Sequence, residues 1–376
     1  RSKKMQIKKL LGSEEEIKAF LDSIKNTKVI SIDIEFMRRN TFFPEPCVIQ
    51  ISDGENHACI DLMLDINFKN IFEGIFNEEK IIVLHSCRQD LEILYMILGY
   101  IPKNIFDTQF AASFLGFKYQ IGYAGLMNEV YQIEIDKTEK MTNWKKRPLT
   151  TEQIDYALND VIYLNKLYEE LARQLTSTGK TDYFNEEFEN FISDIEWEPK
   201  TEMAWKRIKT INNLDESEKS VVKLISVWRE EKAINLNLPR NWILSEKEII
   251  EISKEFLNSS KISLPSINKI LDIQKDSEEI ESIINSSSLN NKNDKKINKK
   301  LRFDGEYKKV SDELYEYYKF ISVKNNISYQ ILSPKRLILT YLKNKDHESR
   351  LVNGWRKELV DMQKIEDITK SIFNTN

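Results

Sequence analysis

The chain has 376 residues, 41% hydrophobic and 31% charged, with only 10 glycines and 8 prolines. That is a globular, helix-favouring composition, too long for one ordinary core and suited to two or three domains. A net charge of −4 excludes reading a nucleic-acid partner from overall charge, so any such contact must be local. The three cysteines (Cys47, Cys59, Cys87) and three histidines (His57, His85, His347) lack zinc-site spacing.

The chain opens on basic residues without a signal-type apolar core, and Met5 reads as a candidate initiator after four extra residues. No apolar run approaches the ~20 residues of a membrane span, so a cytoplasmic protein with free, buried thiols is expected. Strand-like runs follow: "VISIDIEF" (29–36), "CVIQISDG" (47–54), "HACIDL" (57–62) and "IIVLH" (81–85), with a helical stretch near 67–77 before the last. From about residue 88 the pattern turns helical, as in "RQDLEILYMILGY". That order predicts an α/β sandwich on a mixed sheet.

The stretch "PLTTEQIDYALNDVIYLNKLYEELARQL" (148–175) carries the clearest helical period. Thr150 and Gln153 make a capping-box signature. Ile154, Ala157, Leu158, Val161, Leu164 and Leu167 form one apolar face. Tyr156 and Asp160, four residues apart, are neighbours on another.

Beyond residue 200 the strand signal disappears. "ILSEKEII" (243–250) and "ILSPKRLI" (331–338) repeat one pattern, with Ser245 and Ser333 as expected N-caps and Glu246 and Pro334 at the first helical position. Two copies of a small helical module are the economical reading. Between them "NSSSLNNKNDKKINKK" (285–300) reads as a polar, basic linker.

"VISIDIEF" raises a question of charge. In a strand, alternate residues share a face, so Asp33 and Glu35 point together against their repulsion. D-x-E alone is weak: it also starts at Asp53, Asp90, Asp194, Asp276, Asp304 and Asp346. Only the Asp33 copy ends a strand-like run of that length. Taken singly, it has a bland explanation as a solvated strand end, Tyr156 with Asp160 as a helix surface, and Asp90 as an acid near a helix start.

In this order, Asp33-x-Glu35, Asp90 and Tyr156-x-x-x-Asp160 resemble the DEDDy branch of the 3′→5′ exonucleases, and more narrowly the bacterial ribonuclease D family. "FFPEPCVIQIS" (42–52), "FDTQFAASFLG" (106–116) and "NWKKRPLTTEQIDYALNDVIYL" (143–164) sit in the family's order. "WREEKAINLNLPRNWIL" (228–244) and "NGWRKELV" (353–360) are similar to parts of paired HRDC domains. Ile34 stands where the family often has threonine, and Thr142-Asn143 where serine–aspartate is usual.

The resemblance implies an α/β, ribonuclease H-like exonuclease domain over residues 1–205. HRDC domains over 213–290 and 301–376 would follow, joined by a basic linker at 291–300. It implies a 3′→5′ exoribonuclease that releases nucleoside 5′-monophosphates from RNA with a free 3′ end, in tRNA precursor maturation. A monomer with no membrane partner is expected. Asp33, Glu35, Asp90 and Asp160 would hold two divalent ions, and Tyr156 would orient the attacking water rather than act as a full base.

The donor chemistry agrees: converging carboxylates need cations to be tolerable, and hard oxygen ligands select Mg²⁺ or Mn²⁺ over zinc. Two such ions can hold the attacking and leaving oxygens of an in-line phosphoryl displacement. Phe36 and Trp144, with Phe42 and Phe43 beside them, are candidates to stack on terminal bases. His85 reads as a satisfied core histidine, and Trp228, Trp242 and Trp355 as module cores. Lys292, Lys295, Lys296, Lys299, Lys300 and Arg302 could touch phosphates or form a solvated linker. A DNA exonuclease with the same site, or an inert nucleic-acid adaptor, are the rival readings.

Overall fold

A computed structural model describes residues 6–135, 142–265, 270–287, 305–344 and 348–373. The basic cluster from Lys292 to Arg302, the linker at 291–300, His347, and the D-x-E starts at Asp304 and Asp346 lie outside the described residues. Two compact units emerge. The first comprises residues 1–36, 46–195 and 300–376; the second comprises 37–45 and 196–299.

The first unit is built on a six-stranded mixed sheet in the order β1-β4-β3-β2-β5-β6. Its strands are β1 (Gln6–Leu11), β2 (Val29–Met37), β3 (Glu45–Ser52), β4 (His57–Asp61), β5 (Ile81–Leu84) and β6 (Ile105–Asp107). β1 runs parallel to β4, β5 parallel to both β2 and β6, and β3 antiparallel to β4. The β-branched and apolar runs of the sequence supply the core: Ile30, Ile32, Val48, Ile49, Ile51, Ile60, Ile82 and Val83 have no exposed surface. Burying each such side chain is worth about 1.5–3 kcal/mol.

The helices of this part are α1 (Glu14–Ile24), α2 (Phe68–Phe72), α3 (Arg88–Leu98), α4 (Thr108–Phe114), α5 (Tyr123–Tyr131), α6 (Thr151–Ile162), α7 (Leu164–Ser177) and α8 (Thr181–Ser193). The expected capping box opens α6: Gln153 N–H donates to the Thr150 hydroxyl, and Thr150 N–H donates to the Gln153 amide. The long amphipathic helix is interrupted at Tyr163. After this break Asn165 ties α7 to β2, donating to the Val29 carbonyl at 3.0 Å and pairing with the Ser31 hydroxyl.

The second unit holds α9 (Glu216–Leu236), α10 (Arg240–Ile243), α11 (Glu246–Ser259), α12 (Ile273–Ser286) and a 3₁₀ segment, Thr201–Arg207. Trp228 is buried in its core, as expected, whereas Trp242 is 45% exposed and forms no part of it. The fully buried carboxylate of Glu230 is neutralised by Arg240 through two 2.6 Å bonds and by Arg207 at 3.2 Å. Ser245 caps α11 in a capping box with Glu248.

The first unit also contains α13 (Gly305–Asn325), α14 (Tyr329–Leu332), α15 (Lys335–Asn344) and α16 (Met362–Phe373). Ser333, the second expected cap, turns its hydroxyl back onto the Tyr329 carbonyl. Pro334 precedes α15 and accepts from Leu337 and Ile338. This helical part fastens onto α4 and α8. Buried Arg356 pairs bidentately with Glu187 and donates to the Leu332 and Ile331 carbonyls. Trp355, buried as expected, stacks on Tyr183 and donates its indole N–H to Glu187. Open carbonyls at the end of α4 are satisfied from the same side: Ser328 N–H donates to Ser113 and Asn326 to Leu115.

Candidate active site

Strand alternation brings Asp33 and Glu35 to one face at the end of β2, and Ile34 between them is buried. Helix α6 supplies Tyr156 and Asp160 one turn apart. One ligand oxygen each from Asp33, Glu35 and Asp160 all lie within 4.8 Å of one another. Among the described residues this is the group of acids arranged to share a cation.

Asp90 enters from the first turn of α3, where the helix dipole favours a carboxylate. That start is held by a residue the sequence reading passed over. Asp107 accepts from the Ser86 and Cys87 N–H groups at 3.1 and 2.8 Å, and from those of Gln109 and Phe110 at 2.8 and 3.1 Å. One buried carboxylate thus ties the beginning of α3 to the beginning of α4. Ser86 takes a left-handed turn (φ 64°) to make this possible. The quoted "FDTQ" did contain the signal, an Asp just before a helix, but only its N-cap half.

Asp33, Glu35, Phe36, Asp90, Tyr156 and Asp160 line one cavity of about 480 Å³. Ser86, Gln89, Gln109 and Tyr123, none singled out from sequence, share its wall. His85 also faces it, yet both ring nitrogens are engaged, Nδ1 2.9 Å from the Thr108 hydroxyl and Nε2 3.0 Å from the Ile121 carbonyl. A carbonyl only accepts, so Nε2 carries the hydrogen. Burial holds the ring's pKa below its ordinary value, in keeping with a neutral, satisfied histidine.

The aromatic candidates separate. Phe36 lines the cavity. Trp144 is 2% exposed and packs 6.0 Å from the Tyr156 ring, so as placed it backs Tyr156 and presents no face for a base. Phe42 is 5% exposed inside the helical core of the second unit, with Phe43 packed on the same cluster. Phe42 is therefore closed to a nucleotide, while Phe43 stays partly exposed.

Burial pushes the Asp33 carboxyl up to about 6 against a bond from the Ile34 backbone that favours its charge. Asp90 is raised well above the carboxylate range, first by burial and then by the charges of Asp33, Asp107 and Glu35. The Tyr156 phenol is also raised, by burial and then by the charges of Asp160, Glu35 and Asp33, and it is hydrogen-bonded to Asp160. Acids this close and this dry hold their charge only beside a cation. An all-oxygen set of this kind fits a hard divalent ion.

Sheet, helices and site define a 3′–5′ exonuclease domain, and the family model described as "3'-5' exonuclease" matches residues 10–176. Ribonuclease D of Sphingobium indicum is 34% identical over 251 residues, covering 66% of this chain and 64% of that protein. Ribonuclease D of Bartonella henselae is 33% identical over 246 residues, 65% of this chain and 60% of that protein. Over this span the chain is similar to the ribonucleases D, and it carries a 3′–5′ exonuclease domain. It spans a little under two thirds of these relatives' length. Its fold is that of Escherichia coli RNase D (TM-score 0.79, 22% identity, 96% of this chain and 98% of the other). The catalytic core of RRP6 from Trypanosoma brucei shares it more distantly (TM-score 0.57, 20% identity, 74% and 80% covered). Metal dependence is a property of this exonuclease family, and the Asp33–Glu35–Asp160 cluster meets it. No helix among the described residues is long and apolar enough to cross a membrane.

Proposed function

We propose that the chain is a 3′→5′ exoribonuclease that removes nucleotides one at a time from RNA 3′ ends as 5′-monophosphates. The observation that carries this reading is the convergence of Asp33, Glu35 and Asp160 on one point, with Asp90 and Tyr156 in the same cavity. Asp33, Glu35, Asp90 and Asp160 would hold two divalent ions, Mg²⁺ or Mn²⁺. Such ions, when bound, acidify the attacking water and offset charge on the oxygens of an in-line displacement. Tyr156 keeps its proton, since burial and the neighbouring acids raise its pKa, and so it orients the water through its hydroxyl. Phe36 stacks on the terminal base.

The named relatives are ribonucleases D, which supports RNA as the substrate; precursor tRNA with a free 3′ end is the form of it that we assign. We assign residues 213–290 and 301–376 to two HRDC-type helical modules that add contact area away from the chemistry. The working state is a cytoplasmic monomer. The test incubates the whole chain with matched end-labelled linear RNA, linear DNA and circular RNA, in Mg²⁺, in Mn²⁺ and in EDTA. Stepwise shortening of linear RNA to 5′-monophosphates, abolished by EDTA, is expected. Cleavage of the circle, or shortening in EDTA, would count decisively against the reading.

A further inference from the structure

Beside the acid cavity lies a second, smaller one of about 220 Å³, and Ser86 and Gln109 line both. All its lining residues belong to the first unit. Three aromatic residues, Phe110, Tyr119 and Phe191, line it and keep part of their surface open. The Phe110 and Phe191 rings are 5.5 Å apart and tilted by 38°. The volume falls below the ~300–1,000 Å³ of pockets that enclose a whole small ligand, and suits one flat ring system. Asp107 borders it too, but its oxygens are engaged by four backbone N–H groups. Arg88 also lines it, exposed in the first turn of α3, where the helix dipole disfavours a cation. No carboxylate among the described residues pairs with Arg88, which leaves it to an outside anion such as a phosphate.

Gln109 joins the two cavities through one amide. Its Nε2 donates to the Ile121 carbonyl at 3.0 Å, and that carbonyl can only accept. The amide is thereby oriented, and its oxygen receives no hydrogen bond from any described residue. A fixed acceptor on the wall that two cavities share is placed to meet a donor carried by whatever spans them. An RNA strand ending at the acid cluster would span them at its second sugar, which carries the leaving 3′ oxygen on one side and a base on the other. Phosphate and that leaving oxygen supply no hydrogen there, whereas the 2′-OH does. We propose that the smaller cavity receives the base of the second nucleotide from the RNA 3′ end, and that Gln109 accepts from its 2′-OH. Phe110, Tyr119 and Phe191 are the platform for that base. This rests on the reading of the acid cluster as the seat of the scissile phosphate. It gives the chain a means of telling RNA from DNA that does not pass through the metal ligands.

The test uses the whole chain and linear RNA with a 5′ fluorescein, altered at one nucleotide. An abasic ribose, or a 2′-deoxyribose that keeps its base, replaces the second nucleotide from the 3′ end; in the controls it replaces the sixth. The first shortening step is timed in Mg²⁺, and affinity is measured by fluorescence anisotropy in EDTA. The abasic second position should weaken binding and slow the first step by about tenfold, the size of one lost stacking contact. The 2′-deoxy second position should cost several-fold, the size of one hydrogen bond. Changes at the sixth position should cost neither. In Tyr119→Ala the abasic penalty should shrink, and Tyr119→Phe, which keeps the ring, should restore it. In Gln109→Ala the 2′-deoxy penalty alone should vanish. Equal penalties at the second and sixth positions, or penalties that survive both alanine variants, would overturn the proposal. RNA bound with the expected pattern but never shortened would defeat the exonuclease reading and leave the subsite standing. RNA shortened normally with no second-position penalty would do the reverse. Neither binding nor shortening with any RNA would overturn both.

Discussion

Asp33 carries the site's electrostatic conflict in its simplest form. Burial lifts its carboxyl from the ordinary 3.8 to about 6, so the metal-free fold disfavours its charged form. In the unfolded chain the group ionises near 3.8, and between 3.8 and 6 the native state binds the extra proton. Native stability from this group therefore falls as pH rises through that window, and the penalty is complete above about 6. In EDTA, Asp33→Asn should accordingly melt above wild type at pH 7.5, and its advantage should shrink towards pH 4.5. Melting curves at the two pH values check this; an advantage that does not change with pH would sink it. The residue was legible in sequence because strand alternation alone puts it beside Glu35. Tyr156 was legible by the i, i+4 rule, but the direction of its pKa was not. That depends on how dry the cavity is, which only the fold determines.

Elements deliver these groups, and their starts matter more than their lengths. The α6 capping box could be read from Thr150 and Gln153, because both partners lie within four residues. The Asp107 clasp could not: two of its four donors, Ser86 and Cys87, are about twenty residues away on another element. The break at Tyr163 was equally hidden, since the apolar period runs through it without interruption while Asn165 answers to β2. Asp107→Ala would leave four backbone N–H groups at two helix starts without their acceptor. With an N-cap alone worth about 0.5–2 kcal/mol, a loss of at least about 2 kcal/mol is expected. Asp90 should lose its fixed seat as well, so Mg²⁺ should protect this variant against melting less than it protects wild type. Denaturant titration with and without Mg²⁺ measures both effects. Wild-type stability and an undiminished Mg²⁺ effect would show that the clasp is incidental.

At the scale of the whole chain, the all-acid site before residue 205 invites the view that the helical half is an appendage. The fold argues otherwise for residues 305–373. Helices α4 and α8 present Phe114, Glu186 and Glu187 to them, and Trp355 and Arg356 answer from positions about 170–240 residues later. No local pattern in a sequence encodes a pairing at that distance, although the module's own repeat was visible. Arg356 is almost fully buried, so its bidentate bond to Glu187 and its two carbonyl contacts form as one unit. Breaking a buried pair by removing one partner costs about 3–5 kcal/mol, because a charge is left uncompensated. Glu187 keeps some solvent exposure, which places Glu187→Gln towards the lower end of that range. A chain ending at residue 300 loses the donors to the end of α4 and exposes the Phe114 ring as well. It should melt well below the full chain and aggregate on heating, although all its proposed metal ligands remain. Ending at residue 205 also removes the helices that bury Phe42, so such a fragment should melt lower still. Calorimetry and melting of the three lengths test the ordering. A 1–205 fragment with the full chain's melting temperature would show that neither helical region supports the fold.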